Sequence, residues 1–222
     1  PKVEFKFDKE KDLKNVWETC NFESTWYDFK KNVSSRVLEI CQKKEFEDIK
    51  KELEEYYKPV YNSRIIKISL NAINSTWSVI NNEFFKRLEK IMKKPICSEK
   101  FTGYLTLSTR CPYNTEEKRF MFSLFYSIPQ MLQVTAHEIM HLQFHDTYWK
   151  YVEKEIGKEK TGDLKEALTV LINLEFLDIL FARDNGYESH KELRHFISNT
   201  WKKHKDFDIL IEKCIEFMKN SN

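Results

Sequence analysis

The stretch on which the reading turns is Thr135-Ala136-His137-Glu138-Ile139-Met140-His141-Leu142-Gln143-Phe144. Within it lies His-Glu-x-x-His. On a helix, side chains four residues apart sit one above the other on the same face, so His137 and His141 can grip one metal ion. Glu138 projects about a quarter turn away and is free to act on a water at that ion without ligating it. The surroundings read as helix. Pro129 follows Ser127-Ile128 and suits a first helical turn with a capping residue before it. Residues 130–148 contain neither Gly nor Pro. Met131, Leu132, Val134, Ile139, Met140, Leu142 and Phe144 supply an apolar face. With six histidines in 222 residues, two stacked imidazoles on such a helix are unexpected by chance, and the bland alternative is a buried helix with two hydrogen-bonded histidines.

Working outward, residues 100–109 (Lys-Phe-Thr-Gly-Tyr-Leu-Thr-Leu-Ser-Thr) alternate with period two and are rich in β-formers. Residues 110–118 hold turn residues, and residues 119–127 form a second strand candidate. Together they predict an antiparallel β-hairpin running into the motif helix. Downstream, 148–160 reads as a polar connector around Gly157. Asp163 is placed to cap a strongly apolar helix over 164–181, which breaks near Asn185-Gly186. Helices over 189–203 and 206–219 follow. Upstream, 1–33 is charged with interspersed aromatics and suggests one or two short helices. A helix over 34–57 carries Val37, Leu38, Ile40, Phe46, Ile49 and Leu53 on one side, and Pro59 ends it. Residues 64–70 can begin a long helix or form a strand. Trp77, Ile80, Phe84, Phe85, Leu88 and Ile91 recur at helical spacing over 76–92, closed by Lys93-Lys94-Pro95.

The expected class is α+β, mostly helical, with a small antiparallel sheet before the motif helix. We divide the single domain, 1–222, into a helical N-terminal half (1–98), a central core (99–181) and C-terminal helices (182–222). The 37 basic and 35 acidic residues are too evenly mixed to suggest a nucleic-acid partner. No apolar run suggests a membrane partner. The five cysteines are odd in number and form no C-x-x-C pair, so they read as reduced thiols of a cytoplasmic protein. A charged N-terminus without an apolar segment points the same way.

A catalytic zinc takes three protein ligands and leaves a position open. His145 stands about 12 Å along the helix axis from His137, too far to share an ion on an unbroken helix, and is kept as the alternative ligand. Glu166 is the better candidate, because a lone carboxylate entering so apolar a helix must face solvent or find a cation. Asp163 and Glu175 are weaker alternatives.

His137-Glu138-x-x-His141 followed by Glu166-Ala167-Leu168-Thr169 resembles the gluzincin zinc metallopeptidases, whose best-known members are thermolysin-like. They carry His-Glu-x-x-His on one helix and Asn-Glu-x-x-Ser-Asp on the next. Here the second motif reads Lys165-Glu166-x-x-Thr169-Val170, so the Glu and the small hydroxyl residue agree and the final Asp does not. The resemblance spans about residues 101–180 and implies a zincin-like core. It implies one Zn²⁺ per chain, held by His137, His141 and Glu166. It further implies that Glu138 is the general base and then general acid of peptide-bond hydrolysis. An edge strand, taken as 120–127, would hold a peptide or protein substrate. The family's downstream oxyanion donor falls among Tyr187, His190 and His195. Two other readings stay open: a zinc-binding regulatory protein without proteolysis on the same framework, and a helical interaction protein without metal.

Overall fold

The computed structural model describes residues 1–24 and 26–220, and these form a mostly helical α+β protein around a small mixed sheet. Strand β1 (Lys2–Phe7) opens the chain, and helix α1 (Lys9–Asn21) follows, capped by Asp8, whose carboxylate accepts from the amide of Lys11. After a 3₁₀ turn at Phe29–Asn32 come α2 (Ser35–Cys41), α3 (Phe46–Tyr61) and the long α4 (Ile65–Met92). Strands β2 (Lys100–Thr106), β3 (Tyr113–Asn114) and β4 (Arg119–Ser123) lead into the motif helix α5 (Ile128–Thr147). Helices α6 (Trp149–Leu168), α7 (Val170–Glu175), α8 (Leu177–Leu180), α9 (Lys191–His204) and α10 (Phe207–Asn220) complete the chain.

The sheet order is β1-β2-β4-β3. β2 lies parallel to both β1 and β4, and only β3 runs antiparallel. The expected hairpin is therefore corrected. Parallel neighbours need a crossover of a dozen or more residues, and residues 107–118 provide one, leaving β3 as the outer strand beside β4. The turn at residues 115–118 makes a tight reversal after all, but it joins the two-residue β3 to β4 and not β2 to β4.

The N-terminal half is also not wholly helical. Val3, Phe5 and Phe7 alternate with Lys2, Glu4 and Lys6, a period-two pattern that becomes β1, and Phe5 buries its ring against Trp77 and Phe122. The helix expected over 34–57 is two helices, separated by a turn with Lys43 at φ 58°. Pro59 sits inside the last turn of α3, where it costs one backbone bond and leaves the helix to run on to Tyr61. Residues 65–70 take the helical option as the first turns of α4.

The connector expected over 148–160 is helical. α6 starts directly after α5 and is broken at Gly157, whose φ of 80° and ψ of 164° belong to a region adopted almost only by glycine. Asp163 consequently lies inside α6 and caps nothing. The apolar stretch after it is divided among the end of α6, α7 and α8.

The main core packs α4 and α5 on the sheet and continues through α6 to α10. A smaller cluster joins α1, α2 and α3, with Leu13, Val16, Ile40 and Leu53 at its centre and Leu107 connecting it to the sheet end. Buried Asp12 ties the two parts together. It accepts from Thr106 Oγ1 and the Leu107 amide, each at 2.7 Å, and from the Tyr61 hydroxyl at 2.7 Å. The five cysteines are free thiols. Among the described residues no helix is long and apolar enough to cross a membrane.

Candidate metal centre

α5 is built to hold two imidazoles in register. Ser127 and Gln130 form a reciprocal capping box with Pro129 in the first turn. One side of the helix, including Leu132, Ala136, Ile139 and Leu142, is fully buried in the main core. Burial of each such large side chain contributes about 1.5–3 kcal/mol, which fixes the rotation of the helix. His137 and His141 then share the face turned to the cleft, with ring centroids 4.2 Å apart.

The third group arrives from α6. A straight helix from Trp149 would carry residue 166 about 26 Å from the junction with α5. The break at Gly157 redirects the chain, and Oε2 of Glu166 comes to 3.6 Å from Nε2 of His137 and 3.3 Å from Nε2 of His141. The possible ligand atoms of these three residues all lie within 4.8 Å of one another, a group able to hold a metal ion. Ligands about 2.0–2.1 Å from a tetrahedral ion stand about 3.3–3.4 Å apart, so the spacing suits such an ion.

A carboxylate orients the first histidine. Oδ2 of Asp184 accepts from Nδ1 of His137 at 2.6 Å and from Gln133 Nε2 at 2.8 Å. Asp184 is itself fixed. Its Oδ1 meets Arg194 Nη1 and Thr169 Oγ1, both at 3.0 Å, and its backbone carbonyl accepts from Arg194 Nη2 and Asn173 Nδ2. Gly186 makes room for this clamp. It has φ +65°, and a Cβ there would stand 2.6 Å from Arg194 Nη1.

The charges are strongly organised. Burial alone would depress the His137 pKa, but the Asp184 and Glu166 carboxylates outweigh it and hold the imidazole well above its usual range. Burial, with Lys165 nearby, pushes His141 down to about 3. Glu166 is buried too, which would raise its pKa, yet His141, His137 and Lys165 keep it well below the carboxylate range. Burial pushes Glu138 up to about 8, and its Oε2 has no hydrogen-bond partner among the described residues.

The group opens on a cleft of about 540 Å³. Residues 109–113 and Tyr187 line it, together with Phe22, Trp26 and Phe29 from the N-terminal half. Trp26 donates its Nε1–H to Asp163 at 3.0 Å, and its ring lies 5.6 Å from that of Tyr187.

The other candidates lie elsewhere. Nε2 of His145 is 2.8 Å from the Tyr113 hydroxyl and its ring stacks on Trp149, so that nitrogen is engaged by Tyr113, and His145 does not belong to the ligand group. His190 is buried and bonded to Asp163 at 3.0 Å, outside the cleft lining. His195 is exposed on α9 beside Asn199. Glu175 accepts from Trp201 Nε1 and pairs with Lys205. Of the three residues expected to face a substrate, Tyr187 alone lines the cleft. Asp184 was missed because it lies beyond the second motif helix. Its only mark in the sequence is a charge set directly before the Asn185-Gly186 turn, where an acidic residue is ordinary.

The chain matches no known family model, no curated protein and no solved structure.

Proposed function

We propose that the protein is a zinc-dependent peptidase of gluzincin type, with a zincin-like core formed by β2–β4, α5 and α6. The observation that carries this is the approach of Glu166 Oε2 to both imidazole nitrogens, with the partnerless oxygen of Glu138 at the same cleft. His137, His141 and Glu166 would hold the ion. Two imidazoles and one carboxylate suit zinc, and Asp184 supports the donor set by fixing which nitrogen of His137 is free. A zinc ion there supplies Lewis acidity that polarises a carbonyl and acidifies a water.

The chain's own groups would do the rest. Glu138 has no competing partner at Oε2 among the described residues, so in its ionised form that oxygen would take a proton from the attacking water and return it to the leaving amine. The Tyr187 hydroxyl, on a residue lining the same cleft, would be a donor to the developing oxyanion. β4 is flanked by β2 and β3, so the sheet edge next to the cleft is the short β3, and an extended substrate backbone would lie along Tyr113 and the segment 109–112 that leads into it. The aromatic wall of the N-terminal half narrows the cleft and favours single extended peptide segments over folded surfaces.

The test is zinc content beside peptide-library cleavage. Wild type is expected to carry about one zinc per chain, and Glu166→Ala much less. Glu138→Gln should keep its zinc and lose cleavage. Glu138→Gln that cleaves like wild type would overturn the peptidase reading. A wild type that refuses zinc on reconstitution would remove the metal as well.

A further inference from the structure

The two carboxylate oxygens of Glu166 have different partners. Oε2 faces the imidazoles, whereas Oε1 lies 2.6 Å from Nζ of Lys165. Adjacent residues on a helix do not face each other, so the Lys165 stem must curl back to make this contact. Its ammonium is also almost fully enclosed, with the side chain 7% exposed. A buried ammonium persists only when paired and hydrogen-bonded.

The second anchor is Tyr113 on β3. Nζ of Lys165 donates to the Tyr113 hydroxyl at 2.9 Å and lies 4.8 Å from the centroid of the same ring. That hydroxyl meets Nε2 of His145 at 2.8 Å, and His145 is pinned by its stacking on Trp149. A continuous set of contacts thus runs from α5 through β3 to the carboxylate on α6.

A fixed positive charge beside a metal position opposes cation binding, so attraction of the metal does not explain it. What the contact supplies is a hold on one oxygen. A carboxylate with both oxygens free can bind through both and occupy the position that a catalytic centre leaves open. With Oε1 engaged, only Oε2 is available.

We propose that Lys165, anchored by Tyr113 and His145, is a positioning residue that keeps Glu166 a one-oxygen ligand and the fourth coordination position open. The inference rests on the metal-centre reading given above.

The test loads cobalt(II) into wild type, Lys165→Met, Lys165→Arg and Tyr113→Phe and records visible absorption. Four-coordinate cobalt absorbs far more strongly than five-coordinate cobalt. Wild type is expected to show the strong band. Lys165→Met should lose it several-fold as Oε1 joins the ion, Lys165→Arg should retain it, and Tyr113→Phe should fall between. If Lys165→Met does not fold by circular dichroism, Tyr113→Phe decides. Spectra of Lys165→Met and Tyr113→Phe that superimpose on wild type would overturn the proposal while leaving the metal centre standing. A wild type that binds no cobalt would sink the metal centre and this inference together.

Discussion

Asp184 holds Nδ1 of His137 at 2.6 Å from a position beyond the second motif helix, while Val170, where the thermolysin-like pattern has its Asp, contributes no carboxylate. From that place the Asp184 carboxylate can fix one tautomer of His137. Asp184→Asn keeps the shape and removes the charge. Its zinc affinity is expected to fall ~10–100-fold in competition with a chromophoric chelator. Asp184→Ala should also strand buried Arg194 and lower the urea stability of the metal-free protein by ~3–5 kcal/mol. Unchanged affinity in both variants would remove Asp184 from the metal site.

Gly186 is predicted to tolerate no side chain. Its φ of +65° disfavours an L-residue, and the guanidinium that a Cβ would strike is held by Asp184 and Thr169 and cannot swing away freely. Gly186→Ala should cost ~1–3 kcal/mol in chemical denaturation and weaken zinc binding with it. A neutral effect on both would show that Arg194 is not clamped.

Metal should stabilise the fold by mass action, because the ligands converge only when α5 and α6 are packed. Zinc at a thousandfold excess over its dissociation constant adds ~4.1 kcal/mol. The thermal midpoint of wild type should therefore rise with zinc and return on chelation, and that of His141→Ala should stay nearly flat. An equal rise in both would place the zinc elsewhere.

Asp12 gives a pH dependence far from the cleft. Burial raises its pKa above the ordinary 3.8, more than its three hydrogen bonds lower it. A raised folded pKa means that its stabilising contribution is complete below the unfolded value and is lost as pH rises through the folded one. Asp12→Asn retains an acceptor for Thr106 and Leu107 and can donate to Tyr61. Its urea midpoint relative to wild type should therefore climb as the pH rises above about pH 4, the ordinary carboxylate value. A relative midpoint that falls or stays level would contradict the burial argument.

Local signals were readable where one element carried the whole message. The capping box at Ser127 and Gln130, the apolar face of α5 and the paired histidines all lie within a single helix, and Glu166 was marked by its isolation among apolar neighbours. What could not be read was pairing between distant segments. The alternation over 100–109 announces a strand but not whether its partner runs with it or against it, and β4 proved parallel. Lys2–Phe7 alternates as well, but its lysines disguised it, and its partner lies near residue 100. Asp184, Lys165 and Tyr113 acquire their meaning only through side chains contributed by other elements.

The pairing of β1 with β2 has a consequence for assembly. The register Lys2↔Lys100 to Phe7↔Leu105 joins segments separated by the whole run of α1 to α4. During synthesis β1 must wait unpaired until those helices and β2 have emerged, a long-range closure of the kind that slows folding. The same arrangement makes the chain a candidate for fragment complementation. Cut between α4 and β2, the first piece would carry a lone strand and the second a sheet with an open edge, each the other's missing neighbour.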